Sequence, residues 1–234
     1  MLVAAAVSVL VFKVWYPSPY ASIAGGLSLF ALLISVDVVV GPALTAVAAS
    51  PGKRHTEFMR DLAVIVVLQL AALTYGVYSL ALARPVAVVF EVDRMRVVTA
   101  ADIEPELLRL APPEMRALSW SGPRVLAVTK PTDPAQQLHS IDLALAGIDL
   151  GMNPRNWMPY ETQKAAVWNA SRPVSTLLAK YPEAEDEVAR IATEAGQDPA
   201  NLRFLPLQAR HASWTAVLGP DAQILGHLPV DGFL

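Results

Sequence analysis

LAVIVVLQLAALTYGVYSLALARPVAVVFEVDRMRVVT, residues 62–99, changes physical character at Arg84-Pro85. Its first 22 positions, Leu62 to Ala83, carry no formal charge, and a helix of ~20 residues is enough to cross the hydrocarbon core of a bilayer. From Pro85 the pattern alternates, with Val86, Val88, Phe90 and Val92 on one face, as a half-buried strand or hairpin does. The stretch predicts a transmembrane helix that leaves the bilayer directly into a folded sheet, with no flexible linker between them.

Upstream, Ile23 to Ser50 offers a second span of 28 positions, interrupted only by Asp37 and Gly41-Pro42. Leu2 to Tyr16 is shorter, 15 residues containing Lys13, and it lacks the basic segment and small-x-small site of a signal peptide. We take it as a third span whose first turn lies upstream of Met1, with the Lys13 ammonium snorkelling to the headgroups. The membrane domain is thus residues 1–84, with helices at about 1–16, 22–49 and 62–83. Lys53, Arg54 and Arg60 lie between the second and third spans, whereas WYPSPY, residues 15–20, has no basic residue. The positive-inside rule places the 50–61 loop and the N-terminus in the cytoplasm and everything after Ala83 outside. In a two-membrane bacterium that compartment is the periplasm. Trp15, Tyr16 and Tyr20 fit either an aromatic belt at the outer interface or internal packing.

Composition supports the division. The chain is 54% hydrophobic with mean hydropathy +0.40, and residues 1–84 hold 8 of its 39 charged side chains and 4 of its 19 prolines. Residues 85–234 form an α+β domain long enough for its own core. Strands are expected at 85–99 and 124–129. A helix opens at Thr132-Asp133-Pro134, presents Leu138, Ile141 and Leu145, and closes at Gly147. Further helices are expected at about 160–170, 173–180 and 182–196, the last with acids in its first turns, where they complement the helix dipole. FLPLQ, HASWTAVL and QILGHL predict a terminal β-hairpin with the turn GPDA, and Trp214, Ala212, Ala216 and Leu218 on one buried face.

The chemistry suggested by these residues is sparse. No cysteine is present, which excludes disulfides, thiolate nucleophiles and cysteine-ligated metals. A net charge of −3 without any Lys/Arg cluster argues against nucleic acid. His55, His139, His211 and His227 are scattered, and although His211 and His227 could approach across the hairpin, two ligands make no zinc site. No nucleophile elbow, phosphate loop or dinucleotide fingerprint occurs, so no catalytic residue, cofactor or metal is assigned. Asp37 and Asp61 are poorly placed to share a proton as membrane aspartyl peptidases require.

Asp37 falls near mid-span, where an ionised carboxylate costs at least ~2.5–3.5 kcal/mol. It meets either a polar group of a neighbouring or client helix, or a donor within the chain, with Gln69 a candidate. Pro42 removes a backbone donor one turn later and loosens the helix there, as a packing kink or as a hinge. Gly25, Gly26, Gly41, Ala43 and Gly76 permit close helix approach, within the chain or to a client.

Trp15-Tyr16-Pro17, Asp37, Gly41-Pro42, Lys53, Asp61, Gln69, Tyr75-Gly76 and Arg84-Pro85 follow one another as in the TfpX/TfpZ (FimB-like) type IV pilin accessory proteins, which residues 15–104 resemble closely. The resemblance continues in Gly147-x-Asp149-Leu150 and Pro159-Tyr160-Glu161. Family members normally have a longer first helix after a basic segment. The resemblance implies a non-catalytic inner-membrane accessory factor that assists a type IV major pilin in its stability, delivery or assembly into pili; the architecture read from the residues, three spans and a periplasmic domain, could hold the pilin's transmembrane helix and its head at once. Asp37, Gly41, Pro42, Gln69, Trp15, Tyr16 and Trp214 are the candidate partner contacts. The alternative is a membrane-embedded enzyme that modifies or processes pilin.

Overall fold

The computed structural model describes residues 2–48, 54–129, 149–210 and 212–234, and the chain divides into two compact units, Met1–Arg84 and Pro85–Leu234.

In the first unit, α1 (Leu2–Val9) runs on into a π-helical stretch, Leu10–Trp15, closed by the Tyr16 N–H donating to the Val11 carbonyl at 2.7 Å. A short α2 (Tyr20–Ile23) leads into α3 (Gly26–Ala48), and α4 (His55–Ala83) completes the unit. Among the described residues, two helices are long and apolar enough to cross a membrane, over Gly26–Ala46 and His55–Ala83, while the first apolar helix is shorter. Pro42 lies inside α3, which stays helical to Ala48. The expected loop at 50–61 is corrected in its second half: helix α4 begins at His55, seven residues before the apolar run. The Arg54 N–H donates to the Glu57 carboxylate, and Glu57 stands in the first turn, where the helix dipole favours an anion. The charged residues 57–61 therefore extend the helix instead of ending it.

In the second unit, β1 (Pro85–Phe90), β2 (Met95–Thr99), β3 (Arg124–Val128) and β4 (Trp157–Pro159) build one half of a sheet. The short helix α5 (Pro105–Leu108) lies in the connection between β2 and β3. The helices α6 (Lys164–Ala170), α7 (Val174–Lys180) and α8 (Glu185–Ala195) follow, with the two-residue strand β5 (Arg172–Pro173) between the first two. The strands β6 (Arg203–Gln208), β7 (Ser213–Leu218) and β8 (Ile224–Leu228) build the other half. The order is β4-β3-β1-β2-β6-β7-β8, with β5 alongside β6. The expected terminal hairpin is therefore a three-stranded meander joined to the rest of the sheet through a parallel β2–β6 pairing.

The half-buried strand expected at 85–99 is also corrected. Every residue of β1 and β2 is buried, Val88 and Val97 as fully as Val86 and Val98, while Val92 lies exposed in the turn. β1 has an antiparallel neighbour on one side and the parallel β3 on the other, and strands in such interior positions are covered on both faces. One core cluster gathers Val86, Val89, Leu126 and Trp157 with Ile103, Ala111 and Met115 from the β2–β3 connection. A second gathers Val174, Leu177, Val188 and Ile191 against Phe204, Val217 and Leu228. Gly196 ends α8 in the left-handed conformation (φ 64°), and the next N–H, of Gln197, returns to the Ala192 carbonyl at 2.9 Å. The helix expected at 132–147 lies outside the described residues.

Candidate functional site

In the helical unit, three glycines set how closely the helices approach. A Cβ on Gly26 would lie 2.6 Å from the Tyr16 ring, one on Gly76 would collide with Leu33, and one on Gly41 would lie 2.5 Å from the Gln69 amide nitrogen. These small residues are occupied by side chains of their own chain. Trp15 and Tyr16 are buried, in a cluster with Val11, Leu33 and Leu80, and Tyr20 is buried too. Internal packing, rather than a headgroup belt, is where the structure places these rings.

Tyr16 also satisfies the end of α4. The last carbonyls of a helix have no partner in their own helix; the Tyr16 hydroxyl donates to the Leu80 carbonyl at 2.9 Å, and the Arg84 guanidinium donates to that of Ala81. Asp37 lies in α3 one turn before Gly41; its side chain lies outside the described residues. Pro42 is exposed and Gln69 half-buried. The outward face of α4 is apolar, with Val64, Val67, Leu68, Leu70, Tyr75 and Tyr78 exposed. Such a face suits lipid or another apolar helix.

In the second unit, the sheet holds a polar cluster that the sequence motifs did not point to as a unit. The Gly151 N–H donates to the Glu91 carboxylate at 2.9 Å, and the Trp157 indole N–H donates to the Gly151 carbonyl at 2.8 Å. Arg96, on β2 and nearly buried, pairs with Asp149, and its Nε has no hydrogen-bond partner among the described residues. Burial holds the Glu91 carboxyl above the usual carboxylate range, and Asp149 adds to the rise, while the Gly151 N–H, Arg96 and Arg94 oppose it. Asp93 is held below its usual range by the hydrogen bond from Arg94. This cluster fastens the segment after residue 148 to the β1–β2 hairpin. Its signal in the sequence was the Asp149-Leu150 pair of the family-like motif, but the partners Glu91 and Arg96 are more than fifty residues away.

Trp214 is half-buried on β7 opposite Leu207. Burial pushes the His227 imidazole down to about 4. His139 and His211 lie outside the described residues, so the expected approach of His211 to His227 has no described geometry. Among the described residues, His, Asp and Glu side chains do not gather in threes that could hold a metal. The Tyr160 hydroxyl, from the other family-like motif, donates to the Ala222 carbonyl in the β7–β8 turn.

Comparison with known proteins adds the following. The family profile described as "Fimbrial assembly protein FimB" matches residues 1–25. The "Fimbrial assembly protein, serogroup I" of Dichelobacter nodosus is 34% identical over 237 residues, covering 100% of this chain and 91% of the relative. The serogroup E1 protein of the same organism is 33% identical over 234 residues, 99% of this chain and 91% of the relative. The protein of serogroups C1 and C2 is 47% identical over 103 residues, 44% of this chain and 79% of the relative. No solved structure matches the chain.

Proposed function

Because the chain belongs to the fimbrial assembly protein family, we propose that it is a membrane-spanning, non-catalytic accessory factor that assists a type IV major pilin. The observation that carries this reading is the end-to-end match to relatives named for fimbrial assembly, 34% and 33% identical over at least 99% of this chain. The TfpX/TfpZ resemblance of residues 15–104 narrows it to a factor dedicated to a pilin.

In this reading α3 and α4 span the inner membrane, and the helical stretch Leu2–Trp15 is a third span. Lys53, Arg54 and Arg60 stay in the cytoplasm, which leaves residues 85–234 in the periplasm. A pilin awaiting assembly has one apolar helix in the bilayer and its head outside, so the two units offer one surface for each part. Two modest contacts on one client reinforce each other through effective concentration without either being tight. Within the bilayer the apolar outward face of α4 receives the client helix, and Asp37 supplies the polar contact at depth.

The test is removal of the protein from a piliated cell, followed by surface pilus counts, pilin abundance and intact pilin mass. Fewer pili and less pilin, with the pilin mass unchanged, is the expected result. A mass that changes with the protein's presence would replace this reading with an enzyme that modifies pilin. Asp37→Asn and Asp37→Leu are expected to lower piliation; wild-type piliation in both would remove Asp37 from the contact.

A further inference from the structure

A cavity of about 410 Å³ opens in the second unit where the end of α6, the strand β5, the segment leading into β6 and the β7–β8 turn converge. Clefts that hold a small ligand or a short peptide segment run from ~300 to ~1,000 Å³. The apolar walls are Trp168, Pro173, Leu202 and Pro220, and the polar side chains are Asn201 and Arg203. These walls are fixed from behind. The Ser171 hydroxyl donates to the Trp168 carbonyl at 2.7 Å, and Pro173 pairs with Arg203 across β5 and β6. The Asp198 carboxylate accepts from the Ala200 N–H at 2.9 Å, which sets the turn into Asn201. Pro220 sits in a turn closed by the Ala222 N–H donating to the Gly219 carbonyl at 2.9 Å. Ala222 has a left-handed φ of 54°, and its carbonyl accepts from the Tyr160 hydroxyl. A site prepared in this way loses little freedom when it binds.

Arg203 brings the positive charge, and the described lining holds no acidic side chain against it. Its Nε–H donates to the Ser171 hydroxyl at 2.8 Å, and an Nη2–H donates to the Ser171 carbonyl. The guanidinium carbon stands 4.9 Å from the centre of the Trp168 ring, a cation–π contact that holds the group in place. Both bonds to Ser171 leave from one edge of the guanidinium. The other edge, across the two terminal nitrogens, keeps the geometry that meets a carboxylate fork to fork. Among the described residues, no carboxylate pairs with Arg203. An anchored, half-buried cation without a counter-ion, set among an indole and two proline rings, is complementary to a carboxylate carried on an apolar segment. Rigid ring faces of this kind are also the surface on which an extended peptide docks.

We infer that this cavity is where the second unit grips its client: it takes a carboxylate-bearing, extended segment of the pilin head. Arg203 pairs with the carboxylate, and Trp168, Pro173 and Pro220 cover the apolar part of the segment. The inference rests on the reading of a pilin as the client, and it gives that reading a site in the second unit.

The test titrates the full chain with the purified major pilin of the same cell, both in mild detergent. Two variants alter the cavity from exposed positions and leave Arg203 in place. Asn201→Asp keeps the shape of the side chain and sets a competing carboxylate in the cavity wall, and Ala200→Trp fills the space. Each is expected to weaken pilin binding ~10-fold or more with the melting temperature of the wild type. Pilin whose carboxyl groups have been amidated is expected to bind the wild-type chain with a similar loss, which tests the pairing without altering this protein. Either variant binding pilin as tightly as the wild type overturns the cavity as the grip and leaves the pilin reading standing. Amidated pilin bound as tightly as native pilin overturns the carboxylate. A wild-type chain that does not bind pilin at all removes the pilin reading, and this inference with it.

Discussion

Tyr16 joins two tasks that are usually separate. Its ring fills the space left by the missing side chain of Gly26, and its hydroxyl satisfies a carbonyl at the end of α4. Gly26→Val should therefore displace the ring and release that hydroxyl bond together, a loss of ~1–3 kcal/mol from overpacking. The check is a lowered melting temperature in detergent that Leu32→Val, at an exposed position of the same helix, does not share. At Asp149 the expected effect has a different origin. Asp149→Asn removes the ion-pair partner of the nearly buried Arg96 and leaves it only the more distant Glu91, and breaking a pair of that kind costs ~2–4 kcal/mol. For a chain of this size that is a fall of roughly 5–15 °C in the melting temperature of the full chain, and an unchanged value would show that Arg96 reaches water. His227 gives a pH test. Its folded pKa, about 4, lies below the ordinary value of 6.5, so the unfolded chain binds the proton more readily. The stability conferred by the neutral ring is present above pH 6.5 and is lost as pH falls toward 4. His227→Gln should lose less stability than the wild type across that window, with Glu91 common to both; parallel curves would contradict the burial of the ring.

At the scale of elements, long apolar runs were the plainest signal, because composition alone decides whether a helix suits lipid. Helices at α3, α4, α6, α7 and α8 and strands at β1, β2, β3, β6, β7 and β8 all stand close to where periodicity puts them. The start of α4 was missed because charged residues resemble a loop until Glu57 is seen closing the first turn. The two-sided burial of β1 and β2 was missed for a different reason. Val86-Ala87-Val88-Val89 is a continuous apolar run, and choosing alternate members from it imposes a half-buried pattern on a strand flanked by β2 and β3. The parallel pairings of β1 with β3 and of β2 with β6 were not legible at all, since no local signal specifies a crossover. The Glu91–Gly151 bond spans 60 positions and is likewise invisible without the fold. Among the candidate contacts, Trp15 and Tyr16 were legible only as important aromatics, and packing against Leu33 and Leu80 decides their place. An element-scale prediction follows for α4: Val67→Glu, on its outward apolar face, should reduce membrane integration and pilin abundance, whereas Thr56→Glu, in the first turn, should leave both near wild type. Equal behaviour of the two variants would contradict a lipid-facing α4.

At the scale of the molecule, a helical unit with an apolar surface and a sheet unit with a core of its own share one chain of 234 residues. A pilin has the same division into an apolar helix and a folded head, and the proposed role depends on the accessory protein meeting both without altering either. The most direct measurement is co-purification of the full chain with the major pilin of the same cell in mild detergent, followed by intact mass of the pilin. The account predicts a stoichiometric complex in which the pilin has the same mass as pilin made without this protein. A pilin whose mass differs between the two preparations, or the absence of any complex, would contradict it.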